Sequence, residues 1–386
     1  MKSFYLIIKK ATLLISFYII LLNNLYAQNF PIKIGVLVDL SGPYKELGTV
    51  TYEALQKYLT IINDSGGIKG RVVELIFSDT GGTDSGILLG ASKLKEQGVI
   101  AIIGPSSKEN VILLRRYAET YKMPLMLISG SSPILTYRTI KTKWTFSSTL
   151  NFDAEIKSLF RAFRKRGYKN LSVLVQASDF YKELSLWIRG YAPEYKLNIG
   201  CFEAFYLNKE DLEFKLKYIS RCMPDVCLIW ADENALDAFM QIGSIQIPVA
   251  ISHNLLRKDL FSNNKWSLSF ISIPKILAKN FTGFISLSSQ QIFFFSAWPK
   301  DDFYNLSLKQ QMVAINSWDS LRILTTALKS GADISRSSLR ASLEENIKNY
   351  PGLIGNITFD KRDHSGLDPA SLTVLMNFEG RWRRVR

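Results

Sequence analysis

Histidine and cysteine are scarce in this 386-residue chain, at 2 and 3 residues. Two histidines cannot supply a zinc finger, an HExxH protease site or a His-rich metal site. Three cysteines are too few for a disulfide-dense scaffold. The usual phosphate and dinucleotide signatures are also missing. No GxGxxG follows the first strand-like run, and neither GxxxxGK[ST] nor GxSxG occurs. Ser92 and Lys95 have Ser-x-x-Lys spacing, but they sit mid-helix and read as surface. The stretch from Asp360 to Asp368 loosely resembles a calcium loop, yet Arg362 stands where the third position needs an oxygen ligand. No catalytic residue, metal or cofactor is expected, and the sequence does not read as an enzyme.

Acidic residues are outnumbered, 34 against 48 Lys and Arg, for a formal net charge of +14. Lys2, Lys9 and Lys10 account for three of these, so the chain after residue 27 carries +11. Such an excess attracts acidic partners in general. Here the basic residues are spread out, and the densest runs are Arg161 to Arg166 and Arg381 to Arg386. Neither run fits a nucleic-acid motif, and both read as a solvated helix face and a tail. No nucleic-acid partner is expected.

The three N-terminal lysines precede an apolar run, Ala11 to Leu22, followed by Asn23, Asn24 and the small residue Ala27. A charged start, a short apolar stretch and a small residue describe a secretory signal over residues 1–27. The run is shorter than the roughly 20 residues needed to span a bilayer. Leu25 is not the small residue preferred before cleavage, which leaves an uncleaved anchor open. No Cys stands where a lipid would be attached, so the expected location is the periplasm. Export makes pairing among Cys201, Cys222 and Cys227 permissible, with one thiol left over.

Beyond the signal the chain alternates strand and helix. Ile32 to Val38 is a β-rich run, and Thr49 to Asn63 has a helical period that Gly66 and Gly67 stop. Strand-like runs return at Val72–Phe77, Val99–Ile103 and Pro124–Ile128, with helices between. The pattern restarts with a helix from Asn151 and strands at Asn170–Val175, Ile199–Tyr206, Val226–Trp230 and Pro248–Ser252. Continuously apolar strands indicate helices on both sheet faces, hence two doubly wound α/β units with parallel sheets. The period is lost over 262–308. Helices follow at Gln310–Ser330 and Ser335–Asn349, and Gly355–Phe359 with Thr373–Phe378 reads as a hairpin.

Open α/β sheets take ligands outside the carboxyl ends of their strands. Hydroxyl-rich loops stand there: Gly104-Pro-Ser-Ser107, and Ser129-Gly-Ser-Ser132. Each puts hydroxyls and free N–H groups before a helix, where a carboxylate is favoured. The alternative for any such Ser is a plain helix cap.

The order of segments resembles the type I periplasmic solute-binding proteins of the branched-chain amino-acid (Leu/Ile/Val) class, receptors of ABC transporters. The resemblance rests on Ile32-Lys-Ile-Gly-Val-Leu-Val-Asp-Leu-Ser-Gly-Pro43, Ile61-Ile-Asn-Asp-Ser-Gly-Gly-Ile-Lys-Gly-Arg71, Ile102-Ile-Gly-Pro-Ser-Ser107 and Gly352-Leu-Ile-Gly-Asn-Ile-Thr-Phe-Asp360. It covers nearly all of 30–386 and is weakest over 256–310. It implies two lobes joined by a three-segment hinge, residues 29–148 and 282–350 in the first, 149–281 and 351–386 in the second. The implied function is an extracytoplasmic receptor that closes on a small amino acid, amide or short carboxylate and delivers it to an inner-membrane permease, as a monomer. A sensing receptor of the same fold is the alternative.

The resemblance places ligand-carboxylate contacts near Ser106, Ser107, Ser131 and Ser132, and an aromatic lid at Tyr181. The second lobe would add Trp230, Asp232, His253 and Asn254. Two departures stand out. Leu47 takes the place of a family aromatic, with Tyr44 nearby. His253 and Asn254 stand where the family keeps an acid for the ligand's ammonium group, so either Asp232 or Glu233 compensates or the ligand lacks that group.

Overall fold

A computed structural model describes residues 30–385 apart from 109, 130–141, 178–180, 244, 256–267, 284–285 and 379. The expected signal, Ser131 and Ser132 lie outside the described residues. The first sheet has β1 (Ile32–Val38), β2 (Val73–Asp79), β3 (Ala101–Ile103), β4 (Leu125–Leu127) and β5 (Thr145–Ser147) in the order β2-β1-β3-β4-β5, all parallel. Apart from Lys33, every β1 side chain is buried. Helices on both faces are the reason, and the continuous apolar run is their trace in the sequence.

Helix α1 (Lys45–Asp64) buries Leu47, Val50, Thr51, Ala54, Leu55, Tyr58 and Ile62, a stripe at helical spacing. At Gly48 it crosses the end of β1 so closely that a Cβ would stand 1.9 Å from the Asp39 carbonyl oxygen. Only glycine permits that approach. Helices α2 (Asp84–Glu96) and α3 (Val111–Tyr121) cover the other face through Ile87, Leu94, Leu114 and Ala118.

The second sheet has β6 (Asn170–Gln176), β7 (Asn198–Phe205), β8 (Val226–Trp230), β9 (Val249–Ile251), β10 (Leu268–Pro274), β13 (Leu372–Phe378) and β14 (Arg381–Arg384). Its order is β14-β13-β10-β9-β8-β6-β7, and only the β10–β13 and β13–β14 pairs are antiparallel. Helices α4 (Phe152–Lys165), α5 (Tyr181–Tyr191), α6 (Lys209–Arg221) and the short α7 (Leu236–Gln241) accompany it. Cys201 on β7 is bonded to Cys222 at the end of α6, and Cys227 is free and buried, with its thiol pKa pushed up by desolvation.

Helices α8 (Ser289–Ala297), α9 (Lys300–Asn305), α10 (Leu308–Ser330) and α11 (Arg336–Asn346) return to the first sheet. Capping boxes at Ser288 with Gln291 and at Ser307 with Gln310 start α8 and α10. Helix α10 is buried almost all round and packs along α1, with Trp318 edge-on to Tyr58 at 5.1 Å. The chain thus passes between the sheets three times: after β5, after β10 and after α11. The last passage carries a small antiparallel pair, β11 (Tyr350–Pro351) with β12 (Asn356–Ile357).

The expected hairpin of Gly355–Phe359 with Thr373–Phe378 does not form. Leu372–Phe378 is buried over most of both faces and lies inside the second sheet between β10 and β14, which covers what a hairpin would expose. The basic terminal run is an edge strand rather than a tail, with Arg381, Arg383 and Arg384 exposed. Charged side chains on an edge discourage further strand pairing. No helix among the described residues is long and apolar enough to cross a membrane.

Candidate functional site

The strand order reverses between β1 and β3 in the first sheet and between β6 and β8 in the second. Loops after these strands diverge and leave a crevice at each sheet's carboxyl edge. The two crevices face one another across a cavity of about 640 Å³. From the first sheet's side it is lined by Tyr44, Ser106, Ser107, Lys108 and Ser129, with Lys309 and Asn316 from the Ser307–α10 segment. The second sheet's side supplies Trp230, Asp232, Glu233, His253 and Asn254. A cavity of this size suits a small molecule.

Hydroxyl groups tie the first side together and leave one group spare. The Asp39 N–H donates to Ser106 Oγ at 3.3 Å, which fastens the β1 loop to the β3 loop. Ser129 Oγ lies 2.6 Å from the carbonyl oxygens of both Pro105 and Ser107, so the β4 loop is fastened too. Asn316 Nδ2 donates to the Ile128 carbonyl at 3.1 Å. Ser107 Oγ and Asn316 Oδ1, both buried, have no partner among the described residues. Unsatisfied buried polar atoms are uncommon, and each calls for a ligand or a water.

On the second side, Gln176 Oε1 accepts the Asp232 N–H at 2.8 Å, and Gln176 Nε2 donates to Asn234 at 3.1 Å, fixing the β8 loop. Ser252 Oγ donates to the Ala231 carbonyl at 2.8 Å. His253 opens a short 3₁₀ turn, and its backbone N–H and Nδ1 reach the two oxygens of Glu155 at 2.8 and 2.7 Å. Glu155 is wholly buried in the first turns of α4, which Asn151 caps. Two ion pairs span the cavity: Lys108 to Asp232 at 3.2 Å and Lys309 to Glu233 at 3.0 Å. All four side chains are about half exposed, so each pair is worth at most about 1 kcal/mol. Such links hold two lobes together and yield readily.

A family model described as periplasmic binding protein matches residues 31–243. The chain belongs to that family. Members are solute-binding proteins rather than enzymes and work outside the cytoplasm. Solved structures share the fold of this periplasmic binding protein at low identity. An extracellular ligand-binding receptor from Rhodopseudomonas palustris HaA2 is 19% identical with a TM-score of 0.66, covering 92% of this chain and 100% of its own. An ABC transporter substrate-binding protein from Desulfitobacterium hafniense in complex with Leu is also 19% identical, with a TM-score of 0.71 and the same coverages. The leucine-binding protein LivK from Thermotoga maritima MSB8 is 15% identical with a TM-score of 0.64, covering 92% and 97%. Comparison with curated protein sequences gives no match.

In this periplasmic binding protein Ser106, Ser107, Trp230, Asp232, His253 and Asn254 converge on the cavity. Tyr181 does not line it. Its ring meets Phe202 of β7 at 6.0 Å, with the hydrophobic cluster beside α5. Sequence reasoning missed Glu155, Lys309 and Asn316. An acid in a helix's first turn reads as ordinary dipole complementation. Asn316 sits in a helix where Gln311, Ser317, Asp319, Ser320 and Arg322 are buried too, so its sequence surroundings did not single it out.

Proposed function

We propose that this periplasmic binding protein is the receptor of an ABC importer, binding a small amino-acid-like or carboxylate ligand between its lobes. The observation that carries the reading is the cavity at the joint edge of both sheets, with Ser107 Oγ and Asn316 Oδ1 unpartnered inside it. Leaving such groups unpaired costs about 1–3 kcal/mol each, which a ligand would recover. The cross-cavity ion pairs support closure by hinge motion, with residues 29–148 and 282–350 moving against 149–281 and 351–386. The Leu complex of the Desulfitobacterium protein and its ABC transporter description support the ligand class and a permease partner. A signal over residues 1–27, delivery to the periplasm and a monomeric state complete the proposal. Ser131 and Ser132, which follow Ser129 in the chain, join the proposed contacts; Tyr181 stands outside the cavity and is not among them.

Titration calorimetry of the mature chain against a panel of amino acids, their amides and short carboxylates tests this. One-to-one binding of at least one class is expected. A chain purified free of solute that binds none of them would remove the reading.

A further inference from the structure

The cavity's acids are already matched by bases. Asp232 faces Lys108, Glu233 faces Lys309, and Glu155 holds Nδ1 of His253. Among the described residues no carboxylate in the lining is left for a ligand cation. What is left over has a different character. Ser107 Oγ can donate, Asn316 Oδ1 can only accept, and Asn254 makes no side-chain hydrogen bond among the described residues. An amide oxygen accepts a hydroxyl or amide hydrogen, but it does not neutralise an ammonium ion.

His253 sharpens this. Both Glu155 oxygens bond to it, one to the backbone N–H and one to Nδ1, so Nδ1 carries a hydrogen. The ring's Nε2 has no partner among the described residues. A neutral ring would accept there; a protonated ring donates, and Glu155 behind it offsets the added charge. The other ionisable groups around the ring are Asp232 and Glu233 on the β8 loop, Lys108 and Lys309 across the cavity, and Tyr44 on the β1 loop. The four charged ones cancel in pairs.

We infer that the ligand is a carboxylate whose second polar group is a hydroxyl or amide rather than an α-ammonium, and that it engages Nε2 of His253. This rests on the receptor reading and narrows its ligand. Ser107 and Asn316 address one end and His253 Nε2 the other.

The test is a matched pair of probes, L-leucine and 2-hydroxy-4-methylpentanoate, which share a skeleton and differ in amine against hydroxyl. Calorimetry with the solute-free mature chain should show the hydroxy acid binding about tenfold tighter or more, the worth of one charge-assisted hydrogen bond. His253→Ala should weaken the hydroxy acid several-fold. The wild-type comparison of the two probes stands by itself if the variant folds poorly. Leucine binding as tightly as the hydroxy acid, or a hydroxy-acid affinity unchanged in a folded His253→Ala, would overturn the inference and leave the receptor reading in place. Binding of neither probe also overturns it; a solute retained through purification would then still uphold the receptor reading, and its absence would remove both.

Discussion

Ser107 is the residue at which structure and ligand are easiest to separate. Its hydroxyl is buried and has no partner among the described residues, so removing it breaks no hydrogen bond among them. Ser107→Ala is therefore expected to keep or raise the melting temperature of the unliganded chain while weakening ligand binding by about 1–2 kcal/mol, or roughly 5–30-fold. Paired melting and calorimetry check both signs, and an equal loss in each would make Ser107 a structural residue. Ser106 differs, because its oxygen already accepts the Asp39 N–H. The sequence showed two adjacent serines with the same claim on a ligand. Which of them is spare depends on a contact 67 positions away, and no local pattern encodes that. Glu155 was hidden for the same reason: its partner lies 98 positions on.

Among the elements, α10 and the β11–β12 passage are joined by a buried acid. Asp319 Oδ2 accepts the N–H groups of Leu353 and Ile354 at 2.6 and 3.3 Å, and Arg322 donates to the Pro351 carbonyl at 2.7 Å. Gly352 is confined there, since a Cβ would stand 2.8 Å from Asp319 Oδ2. Burial pushes the Asp319 carboxyl up to about 6, despite Arg322 and the two N–H donors. Between the ordinary Asp value and about 6, the folded chain holds a proton that the unfolded chain has released. This contribution to stability is full below that window and is lost as pH rises through it. Buried His364 acts the other way, because desolvation lowers its pKa and its contribution is lost on acidification. A wild-type scan therefore mixes opposing trends, and comparison with Asp319→Asn isolates one. The wild type should gain on the variant from pH 7 to pH 4.5, by up to about 2 kcal/mol. Parallel stability curves in urea would contradict this.

Elements buried on both faces were legible, as β1, β8 and the α1 stripe show. The region 262–308 was not. In β10, Ser269 and Ser272 occupy wholly buried positions and break the apolar run. The helices beyond it are short and packed by Phe294, Trp298 and Phe303 rather than by a regular stripe.

At the scale of the whole molecule, two sheets assembled from interleaved stretches of chain put their switch points on either side of one cavity. Three passages join them, so one sheet can move against the other without unfolding either. The net charge of +11 after residue 27 fits the attraction of a small anion to a cleft whose fixed charges are paired. The central claim is that this cleft holds one small solute. Native mass spectrometry of the protein purified without denaturation from its own host tests it most directly. The account predicts one bound molecule of at most a few hundred daltons, lost when Ser107 and Asn316 are both changed to Ala. A single unliganded mass that stays unchanged after adding the host's small-molecule extract would contradict it.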